Sequence, residues 1–213
     1  MGTIIPIFLL ILAYLSGSVP YGYLIGKLRG KDIRNFGSHN IGATNVTRTL
    51  GRGYGFLVFF LDFMKSGIFI ILTKFILNYQ DDFFTLHIHP LVYGTLAFFG
   101  HIFPIFLKFK GGKGISTFGG IIVFYDWRIA LGGFIVFVLV AIISKYISMA
   151  SSIGTFSTII FCLIINRSDY YLLIFLTIVF VTITIKHIPN YKRLCKKEES
   201  RITILDHKHH KTN

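Results

Sequence analysis

Residues 37–48 read Gly-Ser-His-Asn-Ile-Gly-Ala-Thr-Asn-Val-Thr-Arg, a polar stretch between hydrophobic runs at 4–28 and 54–77. Two further polar stretches, 108–120 and 186–190, follow later hydrophobic runs. We call these three stretches the first, second and third islands. Because exposed polar backbone is not tolerated in hydrocarbon, the islands mark places where the chain returns to a membrane surface. The alternation predicts a helical membrane protein with one site assembled from three loops.

The composition excludes an ordinary soluble domain. Hydrophobic residues make up 53% and charged residues 15% of the 213-residue chain, and the mean hydropathy is +0.66. Since a helix needs about 20 apolar residues to cross a bilayer, we predict an all-α integral membrane fold. Its seven transmembrane helices are expected at 4–28, 54–77, 90–107, 114–125, 129–145, 149–165 and 170–186. Residues 1–205 would form one polytopic membrane domain, and 206–213 a disordered polar tail.

The distribution of charge predicts the orientation. Segments 27–53, 108–113 and 186–211, together with Lys145, hold 18 of the 22 Lys and Arg residues. Because basic residues favour the cytoplasmic side, the N-terminus is expected outside and the C-terminus in the cytoplasm. All three islands then lie at the cytoplasmic face, whereas Asp81 and Asp82 lie opposite. Topology and anionic lipid headgroups explain the net charge of +13, so we expect no nucleic-acid partner.

The first island carries the side chains of an anion site. Ser38, Thr44 and Asn45 offer short hydrogen-bonding groups, and Arg48 offers a planar fork suited to phosphate or carboxylate. The glycines among them permit positive φ and close approach of a backbone N–H to an anion. The alternative interpretation is an ordinary polar connection built from turn residues.

The second island combines glycines with a lysine in front of a predicted helix. Gly111, Gly112, Lys113 and Gly114 precede the fourth hydrophobic run, where backbone N–H groups and the helix dipole both favour an anion. A Walker A loop would need Ser or Thr after the lysine. The pattern therefore favours phosphate over nucleotide, with a basic topogenic loop as the alternative.

The third island and the second span each pair polar residues on one helical face. His187 and Asn190 are three residues apart and share one side of a turn; the alternative is a helix that ends before Pro189. Asp62 and Lys65 share a face within the second span. Because charges inside a membrane usually pair, we predict a structural ion pair there.

Several catalytic patterns do not occur in this sequence. It has no Gly-x-Ser-x-Gly elbow, no His-x4-Asp pair and no closely spaced carboxylates for a two-metal site. We therefore expect no metal and no cofactor. His101, just before Phe-Pro, is expected to be a hydrogen-bonded residue at the membrane interface rather than a ligand.

In combination, the motifs resemble the bacterial membrane glycerol-3-phosphate acyltransferases that use acyl phosphate as donor. The resemblance covers nearly the whole chain and is carried by Gly17–Gly26, Asp32-Ile-Arg34, the first island, Asp62-x-x-Lys65, Gly111–Gly114 and His187-x-x-Asn190. It implies transfer of a fatty acyl group to the 1-hydroxyl of glycerol 3-phosphate. The products would be lysophosphatidate and inorganic phosphate, in the first step of phospholipid synthesis.

The resemblance also implies roles for individual residues. Ser38 and Arg48 match essential residues of the family's first motif, and the second-island glycines match its phosphate-binding loop. His187 and Asn190 match the third motif. Glu199 corresponds to a downstream glutamate of the family, which we treat as structural.

A mechanism consistent with these residues needs no covalent acyl-enzyme, because acyl phosphate is already activated. We expect Arg48 and Lys113 to bind phosphate charge, and Ser38 and Asn190 to position phosphate oxygens. For His187 two roles remain open. It acts as a general base near neutral pH, or it hydrogen-bonds the substrate while a substrate phosphate accepts the proton.

The family usually has glycine where this chain has His39, and a positive φ there would cost more for histidine. The expected partners are acyl phosphate, glycerol 3-phosphate and membrane lipid, with a functional link to an enzyme that produces acyl phosphate. The expected location is the bacterial cytoplasmic (inner) membrane, as a multi-pass protein. One alternative is a small transporter of an anionic phosphorylated solute, which would place ionisable groups at mid-membrane and show paired halves. The other is a scaffold with basic lipid-binding loops.

Overall fold

The computed structural model describes residues 4–77 and 87–201, and all regular structure in these ranges is helical. Segment 78–86, which holds Asp81 and Asp82, and the tail 206–213 lie outside the described residues. The α-helices are α1 (Ile4–Ser18), α2 (Tyr21–Leu28), α3 (Ala43–Leu50), α4 (Arg52–Ile70), α5 (Pro90–Ile102), α6 (Ile115–Tyr125), α7 (Trp127–Ser144), α8 (Ile147–Ile165) and α9 (Tyr170–Cys195). Short 3-10 turns occupy Ile33–Asn35 and Ile105–Leu107, and a π-helical segment, Ile71–Ile76, extends α4.

Within the described ranges, five helices are long and apolar enough to cross a membrane. They are α4 with its π-helical extension, α5 with the turn that follows it, α7, α8 and α9. The pair α1 and α2, bent by 44°, makes a sixth if it counts as one span. The helical integral membrane class is thus confirmed, whereas seven crossings and their orientation stay predictions.

The bend between α1 and α2 has a cause in the sequence. Pro20 lacks a backbone N–H and disfavours helical backbone at Val19, the residue before it. The first helix therefore stops there and a second begins. The span predicted over 4–28 therefore consists of two helices, and the bend presents the Val19 carbonyl to the side chain of Lys65.

Two islands are helical where the sequence suggested loops or helix ends. Part of the first island forms α3, and α9 runs past its predicted end at 186 to Cys195 with Pro189 inside it. A proline removes only one backbone donor, and neighbouring helices of a membrane bundle compensate for such a loss. The alternative of a helix ending before Pro189 is therefore wrong.

Helix α6 is short and enclosed by protein. Its 11 residues span only about 16 Å at 1.5 Å per residue, roughly half of the hydrocarbon thickness. Phe118, Ile121 and Ile122 are buried in the main core with Ile70 of α4 and Phe98 of α5. Since neighbouring helices cover it, α6 contributes to the core without having to cross the bilayer by itself.

Close packing and an apolar exterior complete the membrane fold. Helix α1 packs on α5, α4 on α6, α7 on α8, and α8 on α9. A Cβ atom on Gly17 would collide with the backbone of Ala97, so the α1–α5 crossing needs glycine there. Large apolar side chains such as Phe134, Ile143 and Ile164 remain exposed, as expected of a surface covered by lipid.

Three ionisable side chains are buried together between α4 and α5. Asp62, Lys65 and His101 are 2%, 5% and 4% exposed. Lys65 Nζ lies 2.7 Å from Asp62 Oδ1, 3.1 Å from His101 Nδ1 and 2.8 Å from the Val19 carbonyl oxygen. The predicted ion pair is present in the structure. His101 is buried beside the pair and its ring nitrogen contacts Lys65, so its predicted hydrogen bonding is present. Its position at the membrane interface stays a prediction.

Substituting Lys65→Met should leave the Asp62 carboxylate buried without its cation. We expect a loss of roughly 3–5 kcal/mol in the free energy of unfolding, the cost of breaking a buried pair from one side. Thermal unfolding of the purified protein in detergent measures this. The double variant Asp62→Leu/Lys65→Met removes both charges and should recover most of the loss. A double variant as unstable as the single one would contradict the pairing.

Candidate active site

A cavity of 280 Å³ opens where the three islands meet. Its lining includes residues selected from the sequence in every island, in α4 and beyond α9: Ser38, Thr44, Asn45, Arg48, Asp62, Lys113, Gly114, His187, Asn190 and Glu199. Three other selected residues, Lys65, Gly111 and Gly112, are not part of the lining. The fold therefore brings the islands together at one end of the helix bundle.

Asn45 organises the loop of the first island. Its Nδ2 donates to three backbone carbonyls of that loop, those of Ile33, Phe36 and Asn40, at 2.8–3.0 Å. Its Oδ1 accepts from the Ser38 N–H at 2.8 Å. Gly37 adopts a φ of 57°, and a Cβ atom there would collide with Asn45 Oδ1. The sequence suggested that the amide of Asn45 binds a phosphate. In the structure this amide is instead engaged by the backbone of the loop.

Two helices direct their N-termini at the cavity. The first residues of α3, Ala43 and Thr44, and those of α6, Ile115 and Ser116, line it. The first N–H groups of a helix have no partner inside the helix, and the helix dipole makes this end positive. Such ends bind anions, so the cavity offers two backbone sites for negatively charged groups.

The two glycines Gly111 and Gly112 fix the second island against α5. Their N–H groups donate to the carbonyls of Ile102 and His101 at 3.2 and 3.1 Å. A Cβ atom on Gly112 would collide with the His101 ring. The phosphate-binding role predicted for this glycine pair is therefore corrected to docking, because their backbone donors are already used. Gly114, with a φ of 87°, begins α6 and lines the cavity.

Lys113 heads a hydrogen-bonded chain along the cavity wall. Its Nζ donates to Asn190 Oδ1 at 2.5 Å, and Asn190 Nδ2 donates to Glu199 Oε1 at 2.6 Å. Glu199 Oε2 in turn accepts from Arg193 Nε at 2.9 Å. Burial lowers the pKa of Lys113 to about 8; Glu199 opposes this shift, and Arg193 and Arg48 add to it.

His187 is buried and turns its ring toward the cavity. Its Nδ1 lies 2.8 Å from the Ile183 carbonyl oxygen. A carbonyl can only accept, so we assign the ring proton to Nδ1. In the neutral ring Nε2 is then an acceptor, which suits either a general base or a hydrogen-bond partner for a hydroxyl.

Arg48 and His39 lie at the outer side of the first island. Arg48 is exposed, lines the cavity and donates to the Ser200 carbonyl at 3.4 Å. His39 has a φ of 57°, and its Nδ1 lies 2.9 Å from the Arg34 carbonyl oxygen. Histidine thus occupies a conformation that glycine adopts more easily, with a side-chain hydrogen bond as compensation, and it is outside the cavity lining.

Sequence reasoning missed two serines at the start of α8. Ser148 and Ser151 are 2% and 1% exposed, line the cavity and have hydroxyl oxygens with no hydrogen-bond partner among the described residues. Serines inside an apolar span usually bond to their own helix backbone, so they attract little notice. Their three-residue spacing at a helix start, which places both on one face, was the available signal.

The fold and the cavity define a multi-helix membrane protein with a cavity lined by basic side chains and two helix N-termini. A sequence profile described as glycerol-3-phosphate acyltransferase matches residues 7–197. The glycerol-3-phosphate acyltransferase of Bacillus velezensis is 40% identical over 197 residues, covering 91% of this chain and 96% of that protein. Its counterpart in Staphylococcus aureus strain Newman is 40% identical over 201 residues, covering 92% and 97%.

Solved structures extend this similarity to three dimensions. The crystal structure of PlsY (YgiH), an integral membrane glycerol 3-phosphate acyltransferase, in its glycerol 3-phosphate form matches with a TM-score of 0.82 at 37% identity. Its lysophosphatidic acid form gives 0.80 at 36%. Each match covers 92% of this chain and 94% of the solved chain. The chain therefore belongs to the glycerol-3-phosphate acyltransferase family, as the motifs indicated, and is an integral membrane acyltransferase of lipid biosynthesis.

Substitutions at His39 should separate backbone strain from hydrogen bonding. His39→Ala keeps the unfavourable φ and loses the bond to Arg34, so we expect a loss of about 1 kcal/mol in stability. His39→Gly loses the same bond but relieves the strain, and should stay within about 0.5 kcal/mol of the parent protein. Thermal unfolding in detergent compares the two. Equal stabilities of the two variants would contradict the strain at this position.

The lowered pKa of Lys113 predicts a pH dependence. Its ammonium group is lost as pH rises through about 8, and phosphate binding weakens with it, so kcat/KM should fall above that pH. The variant Lys113→Arg keeps its charge, and its decline should shift to higher pH. Initial rates between about pH 7 and pH 9.5, corrected for spontaneous donor hydrolysis, test this. A decline of Lys113→Arg at the same pH as the parent would assign the titration to another group.

Proposed function

We propose that this protein transfers a fatty acyl group from acyl phosphate to the 1-hydroxyl of glycerol 3-phosphate. The products are lysophosphatidate and inorganic phosphate. The observation that carries the proposal is the meeting of Arg48, Lys113 and two helix N-termini at one cavity, because two phosphorylated substrates need two sets of anion donors. The glycerol 3-phosphate and lysophosphatidic acid forms of PlsY support the acceptor and the product.

Charge stabilisation is assigned to groups from two different islands. The guanidinium of Arg48 and the ammonium of Lys113 bind the phosphate groups, and such preorganised donors act most strongly where charge develops in the transition state. Ser38 and the first turn of α3 at Thr44 contribute neutral donors on one wall. Gly114 and the first turn of α6 contribute them on the other.

The sequence led us to expect Asn190 at a phosphate oxygen; the contacts of its amide support instead a role, shared with Glu199, in positioning Lys113. The amide of Asn190 separates the ammonium from the carboxylate, with its oxygen toward Lys113 and its nitrogen toward Glu199. Lys113 is thereby held in position without a direct ion pair. Its charge remains available to a substrate phosphate.

The reaction is a direct attack on an activated donor. The 1-hydroxyl oxygen of glycerol 3-phosphate forms a bond to the acyl carbonyl carbon, and the bond from that carbon to the phosphate oxygen breaks. The phosphate leaves with the bonding electrons. The hydroxyl proton passes to His187 Nε2 or to a phosphate oxygen, and the Nδ1 bond to Ile183 keeps Nε2 directed at the cavity.

The same features support a place and an orientation. We propose that residues 1–205 form one domain in the bacterial cytoplasmic (inner) membrane, with the cavity at the cytoplasmic face. Most of the basic residues lie in the segments that surround the cavity end of the bundle, in keeping with the positive-inside rule. Soluble glycerol 3-phosphate would reach the cavity from the cytoplasm, and a functionally linked enzyme would supply the acyl phosphate.

Phosphate release from palmitoyl phosphate, strictly dependent on glycerol 3-phosphate, tests the proposal on purified protein in detergent. Arg48→Ala should lower kcat/KM by roughly a hundredfold or more, because a transition-state donor is lost. His187→Ala should lose about 10²–10⁴-fold if Nε2 is the base.

A matched control variant is Arg29→Ala, which removes an exposed arginine near the same end, outside the cavity lining. It should behave like the parent protein. Folded Arg48→Ala and His187→Ala variants with near-normal turnover would show that the assigned site is wrong. Folded parent protein that releases no phosphate would favour transport of an anionic solute instead.

A further inference from the structure

A groove of 420 Å³ adjoins the cavity on the side of α3, the start of α4 and the turn before α8. Thr44, Arg48, Phe59 and Ile147 line both the groove and the cavity. The two spaces therefore adjoin and share this wall. The groove is a candidate second route to Arg48, which lines both spaces.

The end of this groove at the start of α4 is strongly basic. Three guanidinium groups line it, those of Arg48, Arg52 and Arg201, and no acidic residue is among its described lining. The contacts recorded for two of them go to neutral oxygens: Arg48 donates to the Ser200 carbonyl at 3.4 Å, and Arg201 Nε donates to the Tyr146 hydroxyl at 3.2 Å. Arginine clusters of this kind match phosphate in charge and in hydrogen-bond geometry.

The deeper part of the groove is apolar. Arg52, Phe56 and Phe59 follow one another at spacings of four and three, so they share one face of α4. Phe56 is 69% and Phe59 41% exposed. Because α4 begins at Arg52 and is long enough to cross the membrane, we expect the arginine at the headgroup level and the phenylalanines further along the span, among lipid chains.

We propose that this groove is the lateral portal through which the long-chain acyl phosphate passes from the bilayer into the cavity. Arg52 and Arg201 bind its phosphate first, and its chain lies over Phe56 and Phe59. The phosphate then passes to Arg48, which both spaces share. This inference rests on the proposed function. Glycerol 3-phosphate has no chain to place on the apolar floor, so of the two substrates only the donor uses the portal.

Kinetics in phosphatidylcholine vesicles test the portal with the variants Arg52→Gln and Arg52→Gln/Arg201→Gln. With palmitoyl phosphate as donor, the double variant should raise the KM for the donor roughly tenfold, since two charged contacts are lost. The KM for glycerol 3-phosphate should stay within about twofold. Arg201 is two residues from Glu199, whereas Arg52 is far from it in the sequence. Arg52→Gln alone should therefore raise the donor KM by part of the same factor without disturbing Glu199.

A matched double variant, Lys192→Gln/Lys196→Gln, removes two exposed charges that line neither space. It should leave both KM values unchanged. Hexadecyl phosphate, a single-chain phosphate without a transferable acyl group, serves as a competitive inhibitor. Its inhibition constant should rise in the arginine variants, whereas that of inorganic phosphate should not.

Three outcomes would overturn the portal. In the first, the donor KM of the arginine variants stays at the parent value. In the second, the KM for glycerol 3-phosphate rises by the same factor as that for the donor. In the third, the donor KM rises only when phosphatidylglycerol is added to the vesicles, which would mean that the arginines bind bilayer lipid. Failure of the proposed function is distinguishable from all three, because the parent protein itself would then release no phosphate.

Discussion

The structure depends on a charge pair that has to be satisfied away from water. An unpaired carboxylate or ammonium is expensive inside a membrane protein, and Asp62 and Lys65 offset part of that cost by lying 2.7 Å apart. The pair also joins parts of the fold that are distant in sequence. Lys65 reaches the Val19 carbonyl at the bend between α1 and α2, and the His101 ring lies against it on α5. The backbone carbonyl of His101 then holds Gly112 of the second island. A constraint on stability thereby sets the position of the loop that carries Lys113.

The positive charges at the cavity are partly offset by one carboxylate, that of Glu199. Two cations and two helix N-termini lie close together there; burial is the main cause of the lowered pKa of Lys113, and the charges of Arg193 and Arg48 add to the shift. Glu199 offsets part of it from beyond Asn190 and is held by Arg193. Because the carboxylate does not touch Lys113 directly, the offset does not block the anion site. The glutamate that the sequence marked only as structural therefore acts on the electrostatics of the site.

Much of this could be predicted from the sequence, and the failures share a cause. Hydropathy located the helices because each span has to be apolar over its own length, and the motifs identified the family and the residues that gather at the cavity. The prediction failed where a backbone group finds its partner in another element. Gly111 and Gly112 looked like phosphate donors, but α5 takes their N–H groups, and the amide of Asn45 is taken by its own loop. Ser148 and Ser151 were missed because a serine in an apolar span is expected to bond to its own helix. Only the fold shows that their hydroxyls have no partner among the described residues and line a cavity. Local sequence does not encode such pairings.

The shortness of α6 bears on the free energy needed to bring an acyl chain from the bilayer to the cavity. This helix ends at Tyr125, next to the polar Asp126 and Arg128, and rises only about 16 Å from there, against a hydrocarbon layer of about 30 Å. Gly114 and the anion-binding turn at its start are therefore expected to lie below the level of the nearer headgroups, with the second island folded down to meet them. Each methylene moved from lipid into water costs about 0.8 kcal/mol, so lifting a whole fatty chain out of the bilayer would require more free energy than the contacts of one binding site provide. Under the proposed function a recessed cavity would avoid that work: the water-soluble substrate would descend to the cavity, and the acyl chain would stay dissolved in the membrane.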